Sequence, residues 1–313
     1  MISKDRILII CAKHSWSARY IEELGYSVID PYIFNSFPAR FIRELWFRFK
    51  LPFVSLLYNK GVISQDKTII VYESLITEGF MRWLHKKCKD CRIILLYTNK
   101  VGHHIIPNQI EDDWCEKWTC DKDDAYRYSM NLFQGGGYFP QWVIQKQKKE
   151  IDVFYIGKDK NRLKKLHNIE CELQAYGAKT LFYITWERGW QHKNDGIHMP
   201  FLPYEEVLNY IGKSKAILHL LDGAQNGITI RIQESLIHKI KLITDDQNIV
   251  NYDFYNQNNI FILGKDDLNG LRTFLDTPYE EVESDFFKHA FYDQMIEELV
   301  NHSNDNCSPN AGI

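Results

Sequence analysis

The sequence of 313 residues has no apolar run of the roughly 18–20 residues that a membrane-spanning helix needs. It contains no Walker loop, and no Gly-x-Gly-x-x-Gly follows its apolar strand-like segments, which argues against a dinucleotide oxidoreductase. Its seven cysteines are few, odd in number and widely spread, which favours a reducing compartment over a disulfide framework. The net charge of −3 lacks a basic excess, so we expect no nucleic-acid partner.

Apolar residues make up 45% of the chain, which is ample for globular cores and excludes a disordered protein. A single core usually stops growing near ~250–300 residues, so the length predicts two domains. Charge is divided unevenly: residues 1–150 contain 22 basic and 17 acidic residues, and residues 151–313 contain 16 and 24. The apolar stretch near the start is too short for a secretory signal, so we expect a cytoplasmic protein.

Short apolar, β-branched runs alternate with helical patterns in both halves of the chain, as in parallel sheets covered by helices. The clearest predicted strands are 6–12, 68–72, 92–97, 152–156, 180–184, 216–221, 241–244 and 259–263. We therefore predict an α/β fold with two Rossmann-like domains facing a cleft. The domains are predicted as 1–147 and 148–300, joined at the polar stretch 145–150, with 301–313 as a disordered tail.

The stretch 222–235 is a glycine-containing loop that follows a predicted strand and leads into a helix. Backbone N–H groups at such a helix start can bind a phosphate, aided by the helix dipole. Thr229 adds a hydroxyl donor and Arg231 a bidentate cationic group. Glu234 lies one helical turn beyond Arg231, so both can face one site, where a carboxylate suits the vicinal hydroxyls of a ribose. The alternative is a surface loop with an ordinary Arg–Glu helix pair.

The second half resembles the nucleotide-binding domain of GT-B-fold glycosyltransferases, and the resemblance covers most of residues 118–263. Many members carry two glutamates separated by seven residues in this loop and helix. Glu234 matches the second glutamate, whereas Asn226 stands at the position of the first. One combination is similar to a branch of sugar transferases for bacterial capsule and lipopolysaccharide: Gln225, Gly227, Thr229, Arg231 and Glu234.

This resemblance implies a nucleotide-sugar site in the second half, with no bound metal and no cofactor. Gly157 and Lys158 follow the first strand of that half, where the family's loop approaches the diphosphate, and Arg162 adds charge nearby. Tyr204 falls in a region that often lies against the nucleobase. For Lys158 and Arg162 the alternative is a solvated helix end, and for Tyr204 it is packing within the protein.

An inverting transferase also needs a general base. His14 and Glu73 each follow a predicted strand of the first half and are the two candidates for this catalytic role. Each also has a structural interpretation, with His14 as a folded-core histidine and Glu73 as a helix cap. The stereochemistry of transfer stays open.

The segment 38–50 is basic and aromatic, with four basic residues and one acidic residue. It can lie against an anionic membrane surface, where lipid-linked acceptors reside, or pack on the sheet with its arginines outside. A zinc site formed by Cys88, Cys91, Cys115 and Cys120 is not expected, because the glycines of a zinc knuckle are absent. Asp121 of the Asp121-Lys-Asp123 triplet is predicted to cap a helix instead of binding a metal.

Together these features predict a glycosyltransferase with a nucleotide-sugar donor and a glycan or lipid-linked acceptor. Its expected role is bacterial surface polysaccharide synthesis, in the cytoplasm or at the inner face of the plasma membrane. Two alternatives stay open. The first is a non-catalytic binding or assembly partner, motivated by Asn226, and the second is a nucleotide-sugar epimerase.

Overall fold

The protein is described here from a computed structural model. The structure describes residues 3–13, 16–33, 36–49, 51–63, 67–74, 76–102, 105–133, 137–145, 147–187, 195–221 and 227–302, and only the backbone of Trp16 and Phe37. The chain forms two compact units: Met1–Gly135 together with Asp293–Ile313, and Gly136–Tyr292.

The first unit contains a six-stranded parallel sheet with the strand order β2-β1-β3-β4-β5-β6. Its strands are β1 (Ile7–Ile10), β2 (Ser27–Ile29), β3 (Thr68–Tyr72), β4 (Arg92–Tyr97), β5 (Glu116–Thr119) and β6 (Asn131–Leu132). Its first four helices are α1 (Trp16–Glu23), α2 (Phe37–Arg48), α3 (Glu78–Lys87) and α4 (Lys122–Tyr128). The central strands are buried along their length, as expected for a parallel sheet covered on both faces.

Local sequence signals explain where these helices begin and end. Gly25, at φ +93°, follows α1 and allows the left-handed turn that ends it. The Thr77 hydroxyl caps α3 by accepting the Phe80 N–H at 3.2 Å. The carboxylate of Asp121 accepts the Asp124 N–H at 2.9 Å at the start of α4, so the predicted capping role of Asp121 is confirmed.

The second unit contains a five-stranded parallel sheet with the strand order β11-β10-β9-β7-β8. Its strands are β7 (Ile151–Lys158), β8 (Thr180–Thr185), β9 (Ser214–His219), β10 (Lys241–Thr244) and β11 (Ile260–Ile262). Its helices are α5 (Leu163–Ala175), α6 (Tyr204–Gly212), α7 (Ile230–His238) and α8 (Leu271–Asp276), and α9 (Tyr292–Asn301) follows them. The predicted α/β class with two Rossmann-like parallel sheets is confirmed, and the cleft stays a prediction.

Both sheets share one topology. In each, the first strand of the unit lies between the second and the third, so the winding direction reverses beside that first strand. In open α/β sheets, ligands bind outside the carboxyl ends of the strands at such a switch point. The switch points lie between β1 and β3 in the first unit and between β7 and β9 in the second.

The division into units differs from the predicted domain boundaries at both ends of the second unit. Tyr138 exchanges backbone hydrogen bonds with Ala290 and Tyr292, both at 2.9 Å, so the segment around Tyr138 belongs to the second unit. Most of α9 belongs to the first unit, because Arg92 donates hydrogen bonds to the carbonyls of Leu299, Val300 and His302. The predicted tail lies outside the described residues from 303 onward.

Candidate functional site

The carboxyl edge of the second sheet, at its switch point, brings together the turn after β7 and the start of α7. Gly157 and Lys158 were expected to follow β7, but they are its last two residues and pair with Ile184 and Thr185 of β8; Lys158 is exposed. The loop after β9 includes Gln225 and Asn226, which lie outside the described residues, so their predicted roles stay predictions.

Gly157 makes room for a close contact beside it. A side chain at Gly157 would place its Cβ 2.6 Å from the Tyr155 hydroxyl oxygen, which is too close for any residue with a Cβ. The same hydroxyl accepts a hydrogen bond from Arg162 Nη2 at 3.4 Å. Glycine at this position therefore permits the placement of Tyr155 that contacts Arg162.

Arg162 precedes α5 and has unused hydrogen-bonding capacity. The N–H groups of Arg162 and Leu163 donate to Asp159 Oδ1 at 3.0 and 2.9 Å, which fixes the backbone of this turn. Nε and Nη1 of Arg162 are buried and have no hydrogen-bond partner among the described residues. Buried guanidinium donors without partners are costly, so this group is suited to an anionic ligand.

The start of α7 offers a second set of donors. Gly227 has φ +158°, a conformation that residues with a side chain rarely adopt. Thr229 is the N-cap residue of α7, yet its hydroxyl makes no capping bond, and Oγ1 is buried without a partner among the described residues. The first N–H groups of the helix and this hydroxyl can therefore face a ligand.

Arg162 and Arg231 both act on one buried histidine. Burial lowers the pKa of His219, the last residue of β9, to about 4. Asp245 and Asp246 act in the opposite direction, and the positive charges of Arg231 and Arg162 add to the lowering. The two guanidinium groups, from different helices, therefore lie within electrostatic reach of the same point at the switch of the sheet.

Glu234 is fully buried, and both of its oxygens are bonded within the protein. Oε1 accepts a hydrogen bond from the Tyr204 hydroxyl at 2.7 Å, and Oε2 pairs with Arg231 Nη1. Burial raises the pKa of Glu234, while Arg231 and Tyr204 act against that rise. The structure thus places Arg231 and Glu234 in one ion pair, as their spacing suggests, but with the carboxylate turned into the protein.

Tyr204 packs within the second unit. Its ring meets that of Trp142 edge to face at a centroid distance of 4.5 Å, and burial together with the charge of Glu234 raises its pKa. Beside this pair the hydroxyl of Tyr138 contacts Nε2 of His238 at 2.6 Å. Burial raises the pKa of Tyr138 and lowers that of His238 to about 4, so near neutral pH an uncharged hydroxyl and a neutral imidazole share this hydrogen bond.

A second cluster, which no sequence pattern predicted, lies at the ends of β7 and β8. His198 Nδ1 lies 2.7 Å from Asp195 Oδ2, and its Nε2 lies 3.2 Å from Asp159 Oδ2. The His198 ring stacks on Trp186 at a centroid distance of 3.7 Å. Since Asp159 also caps α5, this histidine ties the segment around 195–198 to the turn that carries Arg162.

In the first unit, one of the two base candidates, Glu73, lies beside the switch point between β1 and β3. His14 lies outside the described residues, so its placement stays a prediction. Glu73 directly follows β3 and is buried, and its carboxylate accepts a hydrogen bond from Asn99 Nδ2 at 3.2 Å. Longer bonds of 3.4 Å come from the backbone N–H and hydroxyl of Thr98, so Glu73 is held by the loop after β4.

The described residues contain neither a metal-binding cluster nor a helix that could span a membrane. No group of three or more histidine, cysteine, aspartate or glutamate side chains within them could hold a metal ion. In the same part of the chain, every helix is too short or too polar to cross a bilayer.

No family model matches the sequence, and no curated protein does. Among solved structures, the chain is similar to the crystal structure of the GtfA/B complex bound to UDP and GlcNAc, with 11% identity and a TM-score of 0.32. That match covers 84% of this chain and 59% of the other, so the chain spans about three fifths of its neighbour's length. It is also similar to NAD+-bound 3-phosphoglycerate dehydrogenase of Entamoeba histolytica, with 10% identity, a TM-score of 0.23 and coverage of 87% and 92%. Likenesses this distant indicate nothing about activity.

Proposed function

We propose that the chain is a metal-independent, GT-B-type glycosyltransferase. It moves a sugar from a nucleotide-sugar donor to a hydroxyl of a glycan or lipid-linked acceptor, in the synthesis of bacterial capsule or lipopolysaccharide. The second unit binds the donor and the first binds the acceptor. The enzyme acts in the cytoplasm or at the inner face of the plasma membrane, which residues 38–50 contact.

The observation that carries this proposal is a set of buried donors that have no partner among the described residues: Nε and Nη1 of Arg162 and Oγ1 of Thr229. Arg162 lies at the start of α5 and Arg231 in the first turn of α7. Together with the N-terminus of α7 and the Thr229 hydroxyl, which has no partner among the described residues, they form a set of donors for a diphosphate. This local positive charge is needed because residues 151–313 contain 24 acidic and only 16 basic residues.

Transfer requires stabilisation of the leaving diphosphate as negative charge develops on it. Arg162 and Arg231 supply the charge, and Thr229 with the α7 N–H groups supplies oriented dipoles. Glu234 acts through Arg231, because both carboxylate oxygens are already bonded to Tyr204 and Arg231. Glu234 was expected to contact the ribose hydroxyls. We now propose that it positions Arg231 instead. Likewise, Tyr204 supports Glu234 instead of stacking on the base.

On the acceptor side, Glu73 and His14 are the proposed candidates for the base that removes the proton of the attacking hydroxyl. Glu73 fits this role because it directly follows β3 at the switch point of the first sheet, where ligands of open α/β sheets bind.

A thermal-shift panel of nucleoside diphosphates and nucleotide sugars tests the donor site. A bound nucleotide at about 100 times its dissociation constant adds about 2.7 kcal/mol to the free energy of unfolding and raises the melting temperature. We expect Arg162→Ala and Arg231→Ala to abolish the shift. Lys164→Ala, an exposed change two residues from Arg162, should retain it. If no nucleotide or nucleotide sugar shifts the melting temperature, the proposed donor site is wrong.

Product assays separate transfer from the two alternatives. A non-catalytic partner would bind the donor without any turnover. This alternative is motivated by Asn226, which stands where the family has its first glutamate. An epimerase would convert the donor sugar with no acceptor present. A transferase instead requires an acceptor, apart from slow hydrolysis of the donor.

A further inference from the structure

An apolar surface on the first unit is concentrated in one stretch of 24 residues. Residues 33–56 contain seven of the seventeen exposed large hydrophobic side chains in the described part of the chain. We name these seven, which are 41–74% exposed, the α2 patch: Ile33, Phe41, Ile42, Phe49, Leu51, Phe53 and Leu56. Such a concentration differs from the single exposed apolar residues that are normal on protein surfaces.

The orientation of α2 accounts for the patch. Arg43 faces the unit and is 3% exposed, with its guanidinium 4.4 Å from the centroid of the Tyr32 ring. At about 100° per residue, Phe41 lies on the side opposite Arg43, and Ile42 lies about 100° from Arg43. Trp46 and Phe47 pack against the core of the unit, so the helix is anchored on one side and leaves Phe41 and Ile42 exposed on another.

Backbone and side-chain contacts hold the segments of the α2 patch together. The indole N–H of Trp46, on α2, donates to the carbonyl of Pro52 at 3.0 Å. A short 3-10 turn links Phe53 and Leu56, whose N–H donates to the Phe53 carbonyl at 2.9 Å. Ile33 joins the same region, because its N–H donates to the carbonyl of Leu57 at 3.1 Å. The surface is therefore built from adjacent segments.

The charge around the patch is mainly basic. Residues 36–63 contain five basic residues, of which Arg43 is buried, and a single acidic residue, the exposed Glu44. Arg48 and Lys60 are exposed beside the apolar side chains. Apolar side chains that enter the acyl boundary, with cations at the level of the phosphates, match the surface of an anionic bilayer. In a twofold contact between two copies, the cations of one would face those of the other, which is unfavourable.

We propose that the α2 patch inserts into the surface of an anionic lipid membrane. Phe41 and Ile42 of α2, together with Phe49, Phe53 and Leu56 after it, enter the interfacial region, and Arg48 lies at the phosphate level. This extends the contact of residues 38–50 to Ile33 and to residues 51–56. It rests on the proposed function in taking the membrane as the partner of the acceptor-binding unit, but the surface itself requires no nucleotide.

Vesicle flotation tests the proposal with the full chain and no nucleotide. The probes are vesicles of phosphatidylglycerol mixed equally with phosphatidylcholine, and vesicles of phosphatidylcholine alone. The test variant combines Phe41→Ser, Phe53→Ser and Leu56→Ser, all at exposed positions. The matched control variants are Phe201→Ser, 81% exposed in the second unit, and Tyr126→Ser, 92% exposed on α4. Circular dichroism and the melting temperature check that each variant folds.

We expect the wild type to bind the anionic vesicles and the triple variant to bind them at least about tenfold more weakly, since three apolar contacts are lost. The two control variants should bind as the wild type does, and Arg48→Glu should weaken binding to the anionic vesicles. Absence of wild-type binding would overturn the proposal, as would equal binding by the triple variant. So would a wild-type dimer by light scattering that the triple variant converts to monomer, because the patch would then bind a second copy. A nucleotide-induced thermal shift without vesicle binding would leave the proposed donor site standing and remove only the membrane contact.

Discussion

The hydroxyl of Tyr204, the first residue of α6, donates a hydrogen bond of 2.7 Å to Glu234 Oε1 in the middle of α7. Since Oε2 of the same carboxylate pairs with Arg231, this bond links the start of one helix to the cation at the start of the next. A buried carboxylate that makes both contacts is satisfied, and one that loses either is not.

Tyr204→Phe removes one hydrogen bond while keeping the ring on Trp142. We expect the free energy of unfolding to fall by about 1–3 kcal/mol, because a buried carboxylate oxygen loses its donor. Urea denaturation measures this loss. Tyr176→Phe, at an exposed tyrosine after α5, should change the stability by less than about 0.5 kcal/mol. Equal effects of the two changes would show that the Tyr204–Glu234 bond does not contribute.

Glu234→Gln should alter the pH dependence of stability. Burial raises the folded-state pKa of Glu234 above that of the unfolded chain, so folding favours proton uptake by this group. Its favourable contribution is present below the unfolded-state pKa and is lost as the pH rises through the folded-state value. A glutamine has no proton to lose. We therefore expect the stability of Glu234→Gln relative to the wild type to increase as the pH is raised from about 4 towards 7. A pH-independent difference would contradict this assignment.

Gly157→Ala tests the close approach of Tyr155. The new methyl group would lie 2.6 Å from the Tyr155 hydroxyl oxygen, so the ring must move and its contact with Arg162 must break. We expect a loss of about 1–3 kcal/mol in stability, typical of overpacking, measured by urea denaturation. Gly270→Ala is the matched control, because its Cβ would meet no atom within 4 Å at a negative φ. If both changes have the same effect, the close packing of Tyr155 against Gly157 in β7 does not contribute to stability.

His219 should make the second unit sensitive to acid. Its folded-state pKa is about 4, below the ordinary 6.5, so the unfolded chain binds the proton first. The contribution is complete above pH 6.5 and is lost as the pH falls from 6.5 to 4, by about 3 kcal/mol at most. His219→Asn keeps a polar atom near the Thr244 hydroxyl and should flatten the pH profile in this range. His167→Asn, at an exposed position on α5, should leave the slope unchanged.

Arg92→Met tests the attachment of α9 to the first unit. Arg92 pairs with Glu116 and donates to three carbonyls at the end of α9, so its loss leaves several partly buried acceptors without a donor. We expect a cost of about 2–4 kcal/mol in urea denaturation. Arg19→Met breaks an exposed pair with Glu23 and should cost less than about 1 kcal/mol. Similar costs for the two changes would show that α9 does not depend on Arg92.

Much of the fold follows from local signals. Continuous β-branched runs such as Ile7–Ile10 predict buried parallel strands, and capping residues such as Asp121 mark helix starts. The i,i+3 spacing of Arg231 and Glu234 also predicts that the two side chains meet, which they do. These features depend on residues within a turn or two of each other, where backbone geometry alone sets the neighbours.

Other parts of the site depend on partners distant in the chain. Glu234 is turned inward by Tyr204, thirty residues away, and Tyr138 meets His238 a hundred residues away. His198 reaches Asp159 across 39 residues. No periodicity or spacing encodes such pairs, because they form only when separate strands and helices pack.

The segment 38–50 shows most clearly which features follow from the sequence and which depend on the tertiary structure. By itself the sequence determined that this segment is a helix that begins near Pro38, that it is basic and aromatic, and that two orientations are open to it. Only the tertiary structure shows which of its side chains are buried: Arg43 lies over the ring of Tyr32, and Phe41 and Phe49 are exposed. The physical reason is that a helix with apolar and cationic residues on more than one face is oriented by what its neighbours offer, here an aromatic ring that receives a guanidinium group.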